Sequence, residues 1–190
     1  MTLQSKNLTR LALVTAFLLL IPLVAMQFTK EVNWSFFDFV FATMLVFGTG
    51  LAYQLVASRA TTTAFRLGVG VALAAAFLLI WVNGAVGLIG SEDNPANLLY
   101  AGVLAVAGLG ALLARFRPRG LARAMAAAAV AQVAVPLLAL LIWRPWSATA
   151  DEPWRTAQVV GVTVLFVGLW GGAALLFRWA AAVGRSKELA

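Results

Sequence analysis

Residues 65–89 read FRLGVGVALAAAFLLIWVNGAVGLI, with a single charged side chain, Arg66, near the start. An apolar run of this length is what a helix needs to cross about 30 Å of hydrocarbon. The stretch is therefore read as a membrane span, and the rest of the chain is read outward from it.

Upstream, residues 36–57 form a second run of the same kind, separated from the first only by the short polar stretch Ser58 to Thr63. So short a link predicts an antiparallel hairpin. Before it, residues 8–28 form another apolar run behind a head that carries Lys6 and Arg10. That run is longer than a typical signal-peptide core and lacks a clean small-x-small cleavage site, so a retained helix is expected. Downstream, residues 98–116 follow the turn-rich stretch Gly90 to Asn97 and end at Arg117-Pro118-Arg119-Gly120. Residues 121–143 and 156–182 supply the last two runs. The expected fold is all-α: one transmembrane domain over residues 1–190, a polytopic membrane helix bundle of about six transmembrane helices.

Composition agrees. The chain is 63% hydrophobic and 11% charged, against roughly half and a quarter in an average soluble domain. It contains no Cys and no His, which removes disulfides, thiolate metal sites, the commonest general base and the usual axial ligand of a b-type haem. No cofactor or metal is expected. Catalysis within the membrane would need an activated nucleophile or a pair of acids. Lys6, Lys30 and Lys187 all lie outside the spans, and Asp38 has no acidic partner at its depth, so the chain is read as no enzyme. The net charge of +7 matters through its placement, and nucleic acid is not an expected partner.

Orientation follows from the cations, because positively charged loops stay in the cytoplasm. With the N-terminus inside, eleven Lys and Arg fall on the cytoplasmic side and three, Lys30, Arg144 and Arg155, on the other. Six of the seven acids fall on that outer side. An N-in, C-in topology is expected. Removal of the first span as a signal would leave every later loop on the same side, so charge does not separate five spans from six.

Candidate functional residues are few. Asp38 is the only acid placed within a span, and a carboxylate there either faces the bundle or starts a helix. Asn83, at comparable depth in the third span, could hydrogen-bond to it. The loop carrying Glu92, Asp93, Asn94 and Asn97 offers oxygen ligands to a hard cation, and reads equally as a turn into the fourth helix with Asn97 as N-cap. These six residues are the candidates for a ligand or partner site. Arg115, Arg117, Arg119 and Arg123 form a basic run suited to anionic lipid headgroups.

Gly168 and Gly172 form a GxxxG pair, one of several places where small residues permit close helix contact within the chain or between subunits. Gln54, Gln132 and Gln158 read as single interhelical hydrogen-bonding groups. Pro22 and Pro136 interrupt two spans and can kink them. Trp34, Trp81, Trp143, Trp146 and Trp154 lie near span boundaries, where Trp anchors the headgroup level.

The stretches Asn83 to Leu98 and Ala114 to Gly120 resemble a family of small, uncharacterised bacterial inner-membrane proteins. The resemblance implies a compact helical membrane protein and a bacterial cytoplasmic (inner) membrane location. It carries neither an activity nor a functional residue. The expected partners are membrane lipids and either another membrane protein or further copies of the chain. The expected function is that of an accessory or scaffold subunit of a membrane complex. A small transporter or channel with an outward-facing polar site is the alternative.

Overall fold

In the computed structural model, residues 3–60, 62–90, 93–143 and 153–188 are described, the side chains of 3–5, 143, 153–155 and 185–188 excepted. Their regular structure is entirely helical: α1 (Leu3–Phe28), α2 (Phe36–Ala57), α3 (Thr63–Val86), a 3-10 turn (Pro95–Leu98), α4 (Leu99–Leu113), α5 (Pro118–Trp143) and α6 (Pro153–Glu188). Six of these segments are long and apolar enough to cross a membrane. The chain is thus an all-α, multi-pass membrane protein. It divides into two compact units, residues 1–58 and 59–190.

The first unit is the hairpin α1–α2. A Cβ added at Gly50 would run into the Leu11 side chain, and Gln54 donates a hydrogen bond to the Asn7 carbonyl at 3.5 Å. Residue 50 opposite 11 and residue 54 opposite 7 is antiparallel pairing. Little of α1 is buried: Leu13, Phe17, Ile21 and Phe28 are all exposed. A soluble protein does not tolerate such a surface, whereas hydrocarbon requires it. Pro22 lies inside α1, where it removes the donor that the Leu18 carbonyl would otherwise receive.

The second unit holds α3 to α6. Helix α6 packs on α5 and α3, and α4 packs on α5. Its core is aromatic and aliphatic, centred on Trp170, Tyr100, Phe166, Phe177, Leu79, Ile89 and Val103, each nearly or fully buried. Small residues set the approach distances. A Cβ on Gly68 would lie 3.0 Å from the Phe177 ring, and one on Gly110 would lie 2.7 Å from the Ala124 Cβ. Phe177 also meets Phe65 edge-on, with ring centroids 5.4 Å apart.

Several boundaries differ from the sequence reading, and those of α3, α4 and α5 have a local reason. The third span was expected to reach Ile89, but α3 ends at Val86 because Gly87 turns the backbone to a φ of 67°. Leu88 and Ile89 are nonetheless buried; their hydrophobicity serves a reversal that folds back into the unit. The fourth span was expected over residues 98–116. Helix α4 has only 15 residues, about 22 Å of rise. The four-residue 3-10 turn before it adds about 8 Å and brings the segment to bilayer thickness. Helix α5 begins three residues earlier than expected, at Pro118, since Pro at the first helical position has no N–H to leave unpaired.

Candidate functional site

The reversal between α3 and α4 is organised by Asn97. Its Oδ1 accepts hydrogen bonds from the Leu88 and Ile89 amides at 3.0 and 2.9 Å, and its Nδ2 donates to the Ile89 carbonyl at 3.4 Å. Asn83 Nδ2 donates to the Asn97 carbonyl at 3.1 Å. Asn94 Oδ1 accepts from the Ala96 amide at 2.9 Å and so caps the 3-10 turn. This corrects the expectation that Asn97 is the N-cap of the fourth helix: Leu98 holds that position without a side-chain hydrogen bond, and Asn97, only 5% exposed, latches the loop backbone instead. The reason is geometric. Once Gly87 and Gly90 take φ values of 67° and 73°, the amides of Leu88 and Ile89 point inward and need an acceptor that lipid cannot supply.

Among the candidates on this loop, the structure therefore joins Asn83, Asn94 and Asn97 through backbone contacts. Asp93 is exposed at the turn, and Glu92 lies outside the described residues. The Asn83 Oδ1 is buried and has no hydrogen-bond partner. Asp38 has its own local role. It is the third residue of α2 in a capping box: the Ser35 amide and hydroxyl donate to Asp38 Oδ2 at 2.7 and 2.8 Å. The Asp38 amide donates back to Ser35 Oγ at 3.3 Å. A carboxylate in this position satisfies the first-turn donors and favours the positive end of the helix dipole.

The turn between α4 and α5 is built differently. The Phe116 amide donates to the Ala111 carbonyl at 3.2 Å and the Arg115 amide to Leu112 at 2.9 Å, the two bonds of a Schellman ending. Helices usually give glycine the left-handed position of that motif. Here Arg115 occupies it at φ 49°, and Phe116 follows at φ 57°. Each costs about 1–2 kcal/mol relative to an ordinary backbone conformation. The backbone then closes quickly, with Arg117 donating to Ala114 at 3.0 Å and Leu121 to Arg117 at 2.9 Å.

The strained turn presents Phe116 to Arg59, whose guanidinium carbon lies 5.6 Å from the ring centroid. Arg59 comes from the link before α3, so two loops meet here. Arg59, Arg115, Arg117, Arg119 and Arg123 are all exposed, and none is ion-paired with a described carboxylate. The sequence reading found four of these arginines and missed Arg59. Only the folded contact with Phe116 brings it in.

Midway along the spans, Gln132 of α5 is fully buried and neither atom of its amide has a partner. The expected interhelical hydrogen bond is made by Gln54 but not by Gln132. Pro136, four residues on, has no N–H, so the Gln132 carbonyl also lacks its helical donor. The Trp170 Nε1 and the Thr163 Oγ1 on α6 are likewise buried and unpartnered. Beside Thr163, an apolar groove of about 510 Å³ runs between α5 and α6, lined by Val133, Pro136, Leu137, Val160 and Val164 among others.

The glycines of α6 that were expected to support close contact face open space. A Cβ on Gly161, Gly168, Gly171 or Gly172 would meet no atom within 4 Å. Close approach within the chain falls to Gly50, Gly68, Gly110 and Gly120 instead. Among the described residues no three His, Cys, Asp or Glu side chains are grouped so as to hold a metal ion.

No family model matches the chain, and neither a curated protein nor a solved structure is significantly similar to it.

Proposed function

We propose that this protein is a non-enzymatic accessory or scaffold subunit of a complex in the bacterial inner membrane, oriented with both termini in the cytoplasm. One observation carries the reading: the Gly161, Gly168 and Gly172 positions of α6 are open, although a small-residue helix face is what allows another transmembrane helix to approach closely. Exposed Leu165, Leu175 and Trp179 on the same helix add apolar area to such a contact. The polar groups that a transport or catalytic site would use point the same way. Asp38 is engaged in its cap, and Asn97 in its latch.

The orientation rests on the eleven-to-three distribution of cations. The bacterial source rests on abundant Ala, Val and Arg beside scarce Lys. The test is purification from native membranes in mild detergent. The wild type should carry a membrane partner or a second copy, and Gly168→Leu with Gly172→Leu should release it while the chain still folds. Recovery of the wild type only as a free monomer overturns the proposal.

A second reading, a small transporter or channel, is favoured by Gln132 alone, since an unpartnered amide at mid-span is a group that a passing polar solute or proton carrier would use. Flux in reconstituted liposomes that disappears in Gln132→Leu would replace the first reading with this one.

A further inference from the structure

We propose that the turn between α4 and α5, together with Arg59, is a binding site for the headgroup of an anionic phospholipid. Three observations converge on it. First, Arg115 occupies a left-handed backbone position, at φ 49°, that a glycine would fill without strain. The chain uses glycine at its other positive-φ positions, Gly87 and Gly90. An arginine placed where the backbone disfavours it points to a use for its charge.

Second, the strain extends to Phe116, at φ 57°, and the ring so placed holds the Arg59 guanidinium at 5.6 Å. A ring attracts the cation without neutralising its charge, which a carboxylate partner would do. Arg59 thereby joins Arg115, Arg117, Arg119 and Arg123 as a fifth cation, delivered from a different loop. Third, no described carboxylate pairs with any of the five, so their charge is uncompensated within the described residues. The cluster sits where membrane-spanning helices end, which is the level of lipid phosphates. Planar guanidinium groups bind phosphate oxygens in pairs of hydrogen bonds. Charge, depth and geometry together select a phosphodiester headgroup with net negative charge, such as phosphatidylglycerol, over a zwitterionic one.

The experiment is native mass spectrometry of the full chain released from micelles containing phosphatidylglycerol and phosphatidylcholine in equal amounts, paired with a denaturation midpoint. The wild type should retain phosphatidylglycerol selectively. Arg59→Gln should weaken that retention about fivefold, the loss expected for one cation near the surface. Phe116→Leu keeps every charge but frees Arg59, and should weaken it about two- to fivefold.

Arg115→Gly is the sharpest variant, because it should raise the denaturation midpoint while lowering retention. A purely structural turn would not separate those two readouts. Arg178→Gln, on α6 and outside the turn, should leave retention within twofold of wild type. Unchanged retention in Arg59→Gln and Arg115→Gly overturns the proposal. So does an equal loss in Arg178→Gln, which would mean diffuse charge, or displacement of the lipid by millimolar inorganic phosphate, which would mean a site for the free anion.

Discussion

The α3–α4 reversal and the α4–α5 turn stand at opposite ends of one helix and solve the same problem with opposite chemistry. The first uses glycine where the backbone takes a positive φ, at Gly87 and Gly90, and closes its polar groups on one another through Asn97. The second places Arg115 and Phe116 in left-handed conformations and leaves its arginines unpaired with any described carboxylate. A reversal that relieves strain and satisfies its own donors is built to hold the fold. One that keeps strain and leaves its arginines unpaired with any described carboxylate suits the proposed headgroup site. The contrast separates structural from functional polarity in a chain where residue type alone does not.

The contrast can be broken most directly at Asn97. Asn97→Ala strands the buried Leu88 and Ile89 amides, and losing both partners should cost about 2–4 kcal/mol. Denaturation of the reconstituted protein in graded SDS measures it. Asn97→Asp keeps the acceptor but sets a buried carboxyl against the Ile89 carbonyl, so its cost should shrink as the pH falls and the carboxyl takes up a proton. If Asn97→Ala is neutral, the latch is not what holds the reversal.

Gly110→Leu tests whether α4 and α5 must touch as closely as they do, since its first added carbon would lie 2.7 Å from the Ala124 Cβ. Overpacking at such a contact should cost about 1–3 kcal/mol by the same measurement. The same change at Gly168 should cost less than about 0.5 kcal/mol in the isolated chain, because it faces open space.

Ser35→Ala removes the cap of α2 and should cost about 1 kcal/mol. Hydrogen exchange should localise the loss to the first turn of α2, at Phe39 and its neighbours. The smallest effect on stability is expected at the basic turn. Arg119→Gln and Arg123→Gln should each shift stability by less than about 0.5 kcal/mol while lowering phosphatidylglycerol retention. A large stability loss there would erase the distinction between the two ends.

The helices themselves were readable in advance because hydrocarbon imposes one simple rule. A backbone without water must satisfy itself, so an apolar run near 20 residues becomes a helix wherever it occurs. Residues 36–57 coincide with α2 at both ends, since Ser35 caps the start and polar residues follow Ala57. The ends of α3 and α4 were less legible. Leu88 and Ile89 are as apolar as any span residue, and only the positive φ of Gly87 turns them out of the helix and into the core. Hydrophobicity reports burial, not the path by which it is reached.

The polar residues divide in the same way. Asp38 could be recognised as a helix-start acid from its position three residues after Ser35, a purely local signal. Asn97 could not be recognised as a latch, because its partners lie eight and nine residues away on a loop whose conformation no local pattern specifies. Arg59 is more distant still. It lies in a separate loop from Phe116 and comes within 5.6 Å of its ring only after α3 and α4 have packed into one unit. Span number and helix type depend on interactions between neighbours in the chain and the surrounding lipid. Which polar groups meet, and which are left free to bind, depends on contacts that exist only once the helices have assembled.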